Sequence, residues 1–273
     1  MTSNDKDTTY RDFGLLARAA SSEGVTVRDD QYEFPWLLDA VRVCKNTGGR
    51  FRLVDSGTHD IVSLSWLAEA GADIYSSDEA RPAPKEIVPV RMSGRDAGVH
   101  TFYYIGGDTT GSPDRAAFLS DIAELGRTGV DLHLSNRDKP RDAGLLLALS
   151  RASLSGGGRL VYYHHGRAAS FLEDLAGAGG WIHCTAESFD PDKDLYILRD
   201  VLNASRWSRA GVVLHLNKVS CLSLAGEAFE RGAYLRFHMP LCERTSVLRK
   251  LEDEAARRRL DPRAFYLSYD FLP

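Results

Sequence analysis

Little in this chain marks it for an oxidising compartment, a membrane or a nucleic acid. Its 273 residues hold only four cysteines, Cys44, Cys184, Cys221 and Cys242. They lie far apart with no C-x-x-C pair, so they read as reduced, mostly buried thiols and not as disulfides or a cysteine-rich zinc site. No apolar run approaches the roughly 20 residues that span a bilayer, and the start of the chain, rich in Asp, Ser and Thr, lacks the basic-then-apolar pattern of a secretion signal. The expectation is a soluble cytoplasmic protein with no membrane partner. Basic runs are missing too: with a net charge of -4 and a pI near 6.1, nothing is built to neutralise phosphates, which argues against a nucleic-acid partner. The one tight cationic cluster, Arg257, Arg258 and Arg259, shares its segment with Glu252 and Glu254 and reads as a solvated helix end.

Catalytic signatures are also scarce. No P-loop, no G-x-G-x-x-G after a strand and no G-x-S-x-G elbow occurs, and the metal spacings H-x-H, H-E-x-x-H and D-x-D-x-D-G are absent. FDPDKD at 189 alternates acids but lacks the glycine and terminal glutamate of a calcium loop, and reads as a helix N-terminus. GGDTTGS at 106 reads as a loop, with phosphate binding by its amides as the alternative.

What is present is a rhythm. Helical periodicity over Pro35–Asn46, His59–Ala70, Asp114–Arg127, Pro140–Ala152, Ala168–Ala176, Leu195–Arg206, Leu222–Arg231 and Thr245–Arg258 alternates with short β-rich runs, the mark of a parallel sheet with crossover helices. A pattern Gly-x-x-apolar-polar-x-polar recurs as GADIYSS at 71, GVDLHLS at 129, GRLVYYH at 158, GGWIHCT at 179, GVVLHLN at 211 and GAYLRFH at 232, with looser copies GGRFRLV at 48 and PRAFYLS at 262. Eight similar strands predict an α/β fold of the (βα)8 TIM-barrel type in a single domain over 1–273. Residues 1–32 read as an N-terminal extension, and the helix at 35–46 stands in for the one missing after the last strand. The stretch 86–112, with EIVPV, SGRDAG and VHTFYYI, reads as a β-hairpin inserted after the second strand on the C-terminal face. The alternative is that VHTFYYI is itself a barrel strand.

Under a coat of helices the outward strand positions must be apolar, so alternation turns the polar ones inward. In GVDLHLS the leucines Leu132 and Leu134 face out, leaving Asp131, His133 and Ser135 inside. The same register through all eight copies predicts an inner layer of Arg52, Tyr75, His133, Tyr162, His183, His215, Arg236 and Tyr266. Towards the mouth follow Val54, Ser77, Ser135, His164, Thr185, Asn217, His238 and Ser268, then Ser56, Glu79, Arg137, Glu187, Pro240 and Asp270, while Asp73 and Asp131 lie one step deeper.

Barrel interiors are ordinarily Val, Ile and Leu, and an unpartnered buried polar group costs on the order of 1 to 3 kcal/mol. An interior this polar is hydrogen-bonded within itself or holds a ligand. Active sites of such barrels lie at the C-terminal strand ends, so the mouth set is read as an enzyme site for a small polar, anionic molecule bearing phosphate or carboxylate. Its proton-transfer candidates are His164, His183, His238, Glu187 and Asp270. Its binding candidates are Arg52, Arg236, Arg137, His133, His215, Asn217, Tyr162 and Ser77. Arginines beside the histidines disfavour a divalent metal at that depth, and no metal ligands are assigned, although Asp55, His59, His164, His165, His238, Glu187 and Asp270 include metal-binding residue types. The cofactor stays unassigned and a homo-oligomer stays open. The alternatives are a metal-dependent hydrolase and a non-catalytic barrel binding a ligand or a protein.

Overall fold

The computed structural model of the chain describes residues 13–22, 24–107, 113–190, 192–208, 210–216 and 222–238. Nine strands among them alternate with helices in chain order, and the strand pairs described run parallel. The chain is an α/β protein of parallel strands and crossover helices, as the rhythm of the sequence predicts. No helix of the described residues is long and apolar enough to cross a membrane.

After a helix α1 over residues 13–19 come β1 (Val25–Arg28), α2 (Phe34–Asn46), β2 (Phe51–Val54), α3 (Ile61–Ala70), β3 (Ala72–Ser77), α4 (Ile87–Arg95), β4 (Thr101–Ile105), α5 (Pro113–Arg127), β5 (Asp131–Ser135) and α6 (Ala143–Gly156). Then follow β6 (Leu160–His164), α7 (Phe171–Gly177), β7 (Trp181–Thr185), α8 (Leu195–Trp207), β8 (Val212–Leu216), α9 (Leu222–Glu230) and β9 (Tyr234–Phe237). Contacts within the chain gather it into two compact units, Met1–His133 with Ala152–Gly158, and Leu134–Arg151 with Arg159–Pro273.

In the first unit the helices cover one face of β1–β4. Phe51, Leu53, Ala72 and Ile74 are buried in one cluster with Leu37 and Val41 of α2 and Leu64 and Leu67 of α3. The buried set of α2, Leu37, Ala40, Val41 and Cys44, follows the i, i+3, i+4, i+7 spacing of one helical face. The opposite sheet face carries Arg52 beside Asp73 and Tyr75 beside Phe102. In the second unit, Tyr163, His183, Val213 and Tyr234 stand abreast on four strands, and Thr185, His215 and Arg236 stand abreast one pleat further on. The other face, with Ile182, Cys184, Leu214 and Leu235, is buried.

Three expectations are corrected. The stretch 86–112 is no hairpin: Ile87, Val90 and Gly94 are buried at helical spacing in α4, and VHTFYYI supplies β4, parallel to β3. Gly94 is packed so closely that a Cβ there would come within 2.6 Å of Val99 and 3.3 Å of Ala68. The helix at 34–46 replaces no missing partner, because it follows β1, a strand within the stretch read as an N-terminal extension. The copy at 158, finally, is one residue out of register.

That slip has a local cause. Helices ending in a left-handed residue favour glycine there, since it alone has no Cβ to clash. A positive-φ glycine lies four residues before Tyr75, before His133, before His183 and before Arg236. In the run Gly156-Gly157-Gly158 the positive φ, 80°, belongs to Gly157. Counting from it places Val161 and Tyr163 on the polar face and turns Tyr162 and His164 to the helices, where both rings meet Phe171 of α7 at 6.1 and 6.0 Å. The same mark precedes β4: Gly98, φ 70°, lies four before Phe102. The copy at 262 and the helix at 245–258 lie outside the described residues.

Candidate functional site

Three adjacent strands of the second unit bring three histidines into one line. His183 Nδ1 lies 3.1 Å from His215 Nε2, and His215 Nδ1 lies 2.8 Å from His238 Nε2. Strand pairing fixes the first contact, because Thr185 and His215 are register partners and His183 is one pleat below. The second follows from the ladder running past β9: the His238 amide donates to the Leu216 carbonyl at 2.9 Å, so alternation puts His238 on the side of Arg236. The line passes from inside to outside, with His183 2% and His215 5% exposed and His238 open to solvent.

Burial disfavours the protonated form of His215 and His238 in this line. His215 is pushed down to about 3 by desolvation first, then by His238, Arg236 and His165. His238 is lowered by its partial burial and by Arg236. Every one of these causes lowers the pKa, and among the described polar-face residues of β6–β9 none is a carboxylate: Val161, Tyr163, Trp181, His183, Thr185, Val213, His215, Tyr234 and Arg236. The described strands of this face thus gather imidazoles and an arginine.

The rim is built by side-chain mimicry of the ladder. Beyond β5, Asn136 donates its side-chain amide to the His165 carbonyl at 3.0 Å and accepts the His165 amide at 2.6 Å. This clamps His165 just past the end of β6, where burial and then Arg137 lower its pKa. Arg137 itself is exposed, its amide bound to Ser135 Oγ at 3.1 Å.

The other sequence candidates fall elsewhere. His164 lies on the helix-packed face, its Nε2 2.9 Å from the Arg167 carbonyl and its pKa lowered by burial; Tyr162 shares that face, with its hydroxyl pKa raised to about 12 by burial. Their inward placement is corrected with the register of β6. Glu187 is exposed on the 3-10 turn Ala186–Ser188 after β7. Asn217 and Asp270 lie outside the described residues. Arg52, Ser77 and His133 belong to the first unit. Arg52 is register partner to Asp73, Ser77 Oγ accepts the Ala80 amide at 3.2 Å in a turn, and His133 is packed by Tyr104 and Phe102 at 4.6 and 5.5 Å between ring centres. Asp55 and His59 are likewise committed: Asp55 takes Arg81 in a fork of two 3.0 Å bonds and Ser76 at 2.6 Å, while His59 Nε2 lies 3.3 Å from the Tyr32 carbonyl.

The sequence reading overlooked Tyr163 on the polar face and the clamp on His165; the run Gly156-Gly157-Gly158 hid the first, because the residue types do not show which glycine takes the positive φ. Of the glycine-rich loop at 106, the two described amides, of Gly106 and Gly107, donate to the two oxygens of Asp78 at 3.0 and 2.7 Å. FDPDKD forms the turn into α8, with the Asp190 amide on Asp194 at 3.1 Å and the Asp192 amide on Asp190 at 3.0 Å. Among the described residues no group of three His, Cys, Asp or Glu side chains is arranged to hold a metal ion.

No protein-family model matches the sequence, and no curated protein matches it. Among solved structures, the chain is similar to the 3-dehydroquinate dehydratase from Aquifex aeolicus VF5, at 12% identity and a TM-score of 0.36 over 78% of this chain and 88% of that one. It is similar also to a HpcH/Hpal aldolase/citrate lyase family protein from Burkholderia cenocepacia J2315, at 13% identity and a TM-score of 0.34 over 82% and 98%. Likenesses of this size assign neither substrate nor reaction.

Proposed function

We propose that the protein is an enzyme that moves protons by general acid-base catalysis on a small polar molecule carrying a phosphate or a carboxylate. The observation that supports this most is the line His183–His215–His238 with Arg236 beside it on a face whose described strand residues include no carboxylate. A structural network of buried charges is ordinarily neutralised by its own partners. Here the histidines meet one another, and the described strand residues of the face bring an arginine and no carboxylate beside them. In this reading Arg236 holds the anion, helped from the rim by Arg137, and the histidines supply and accept protons.

The test is direct. The protein is incubated in D2O with phosphorylated sugars and small carboxylic acids, and loss of C–H signal is followed by proton NMR alongside thermal shift. The reading expects at least one such anion to raise the melting temperature and to exchange a carbon-bound hydrogen, and expects Arg236→Ala and His238→Ala to suppress the exchange. Stabilisation by an anion with no chemistry on it in any of the compounds would favour a non-catalytic binding protein instead.

A further inference from the structure

We infer that His238, His215 and His183 form a proton wire, with His238 as its port to solvent and His183 as the group that gives or takes a proton at the bound molecule. The inference rests on the acid-base reading above and adds to it a direction and a division of labour.

The argument is one of tautomers. A neutral imidazole has one N–H and one lone pair, and both nitrogens of His215 face imidazole nitrogens. Neutral His215 therefore donates to one neighbour and accepts from the other, so the line has two polarities. In the first, His238 Nε2–H donates to His215 Nδ1, His215 Nε2–H donates to His183 Nδ1, and the proton of His183 sits on Nε2. In the second, every bond points the other way: His183 Nδ1–H donates to His215 Nε2, His215 Nδ1–H donates to His238 Nε2, and His238 carries its proton on Nδ1.

Passing from the first polarity to the second delivers one proton and takes up one. His183 Nε2 releases its proton to the substrate, the proton on His215 Nε2 crosses to His183 Nδ1, the proton on His238 Nε2 crosses to His215 Nδ1, and water supplies one to His238 Nδ1. The line is neutral before and after, and when the transfers are concerted no charge is placed on the buried central ring. This matters because, among the described residues, the groups that meet or act on His215, namely His183 on β7, His238 and Arg236 at β9 and His165 after β6, are all imidazoles or a guanidinium, none of which would stabilise an imidazolium there. Running the wire backwards restores the first polarity. A reaction that removes a proton in one step and returns one in the next resets the line without ring rotation.

The experiment is heteronuclear NMR of the full chain carrying 15N-labelled histidine, titrated between pH 4 and pH 8. The wire requires through-hydrogen-bond N–H···N couplings for both pairs and a His215 ring that stays neutral across the range. In His215→Phe, which keeps the ring volume and removes both nitrogens, exchange of the His183 ring proton with solvent is expected to slow at least tenfold. Absence of both couplings in the wild type, or titration of His215 near the ordinary histidine value, overturns the wire even if the variant fails to fold. Couplings present together with no anion binding in the thermal-shift screen would overturn the enzymatic reading and leave the conduit; anion binding without couplings would do the reverse.

Discussion

The two units put polar residues on the same kind of sheet face and satisfy them in opposite ways. In the first, charges are cancelled locally. Asp73 meets Arg50 at 2.9 Å and accepts the His100 amide at 2.8 Å, and Asp131 lies 3.5 Å from His100. Rings fill the rest, with Tyr75 and Phe102 stacked at 4.2 Å and 12°. In the second, imidazoles are bonded to imidazoles with Arg236 alongside and no carboxylate among the described strand residues of the face. A closed electrostatic account reads as structure, because it offers a ligand nothing to complete. The proposed site lies in the second unit.

The sharpest way to break this contrast is to open the account of the first unit. Asp55, with its side chain wholly buried, holds the guanidinium of Arg81, which is itself 11% exposed. Asp55→Ala strands that cation and is expected to cost on the order of 3 to 5 kcal/mol, read as a fall in the denaturant midpoint with anion binding unchanged in whatever protein remains folded. A loss below about 1 kcal/mol would show that the network is not structural. The second unit should behave in the opposite sense. Arg236→Ala is expected to weaken a bound phosphate or carboxylate by about 1.5 to 3 kcal/mol, roughly 10- to 100-fold, as for a lost charged hydrogen bond, while leaving the melting temperature of the free protein close to wild type. It should also raise the pKa of His238, since Arg236 holds it down, a shift visible in the same histidine titration. By linkage, anion affinity in the wild type should increase as pH falls through the lowered His238 value, because the anion favours the protonated ring.

How much of this could be read before the fold was known depends on what wrote each feature into the chain. The alternation of helices and strands was legible because burial repeats it: Leu37, Ala40, Val41 and Cys44 on α2 and Leu198, Val201, Leu202 and Ser205 on α8 keep the helical period. The inward histidines His183 and His215 were legible for the same reason, with apolar Ile182, Cys184, Leu214 and Leu216 between them. Tyr162 and Tyr163 broke the method, because two adjacent tyrosines carry no alternation and only the backbone angle at Gly157 sets the register. β4 stayed open between an inserted hairpin and a barrel strand, which it is, because GVHTFYY departs from the repeated pattern, and α4 was missed because EIVPV has the β-branched look of a strand while its buried residues keep helical spacing. The bond from His215 to His238 had no sequence signal, since it joins residues 23 apart through a ladder that continues past β9.

A smaller effect tests the buried line by acid alone. His215 has its folded pKa pushed down to about 3, whereas the unfolded chain titrates near the ordinary value of about 6.5. Between those values the unfolded state binds a proton that the folded state refuses, so its stability contribution is fully present above about pH 6.5 and lost as pH falls towards 3. The slope for one such group is about 1.4 kcal/mol per pH unit. His215→Phe should flatten stability against pH by that amount between pH 6 and pH 4. An unchanged slope would mean that His215 is not held neutral.

The smallest expected effect separates the two faces of β6. His164 is also lowered by burial but sits against Phe171 and the Arg167 carbonyl, on the helix side. His164→Gln preserves a donor for that carbonyl and should cost no more than about 1 kcal/mol, the worth of an ordinary hydrogen bond. Anion binding and the couplings of the histidine line should not move. His183→Gln should leave a comparable stability but remove the inner coupling and the substrate hydrogen exchange. If His164→Gln were instead the variant that silenced exchange, the register counted from Gly157 would be wrong and the site would lie with Tyr162 on the opposite face.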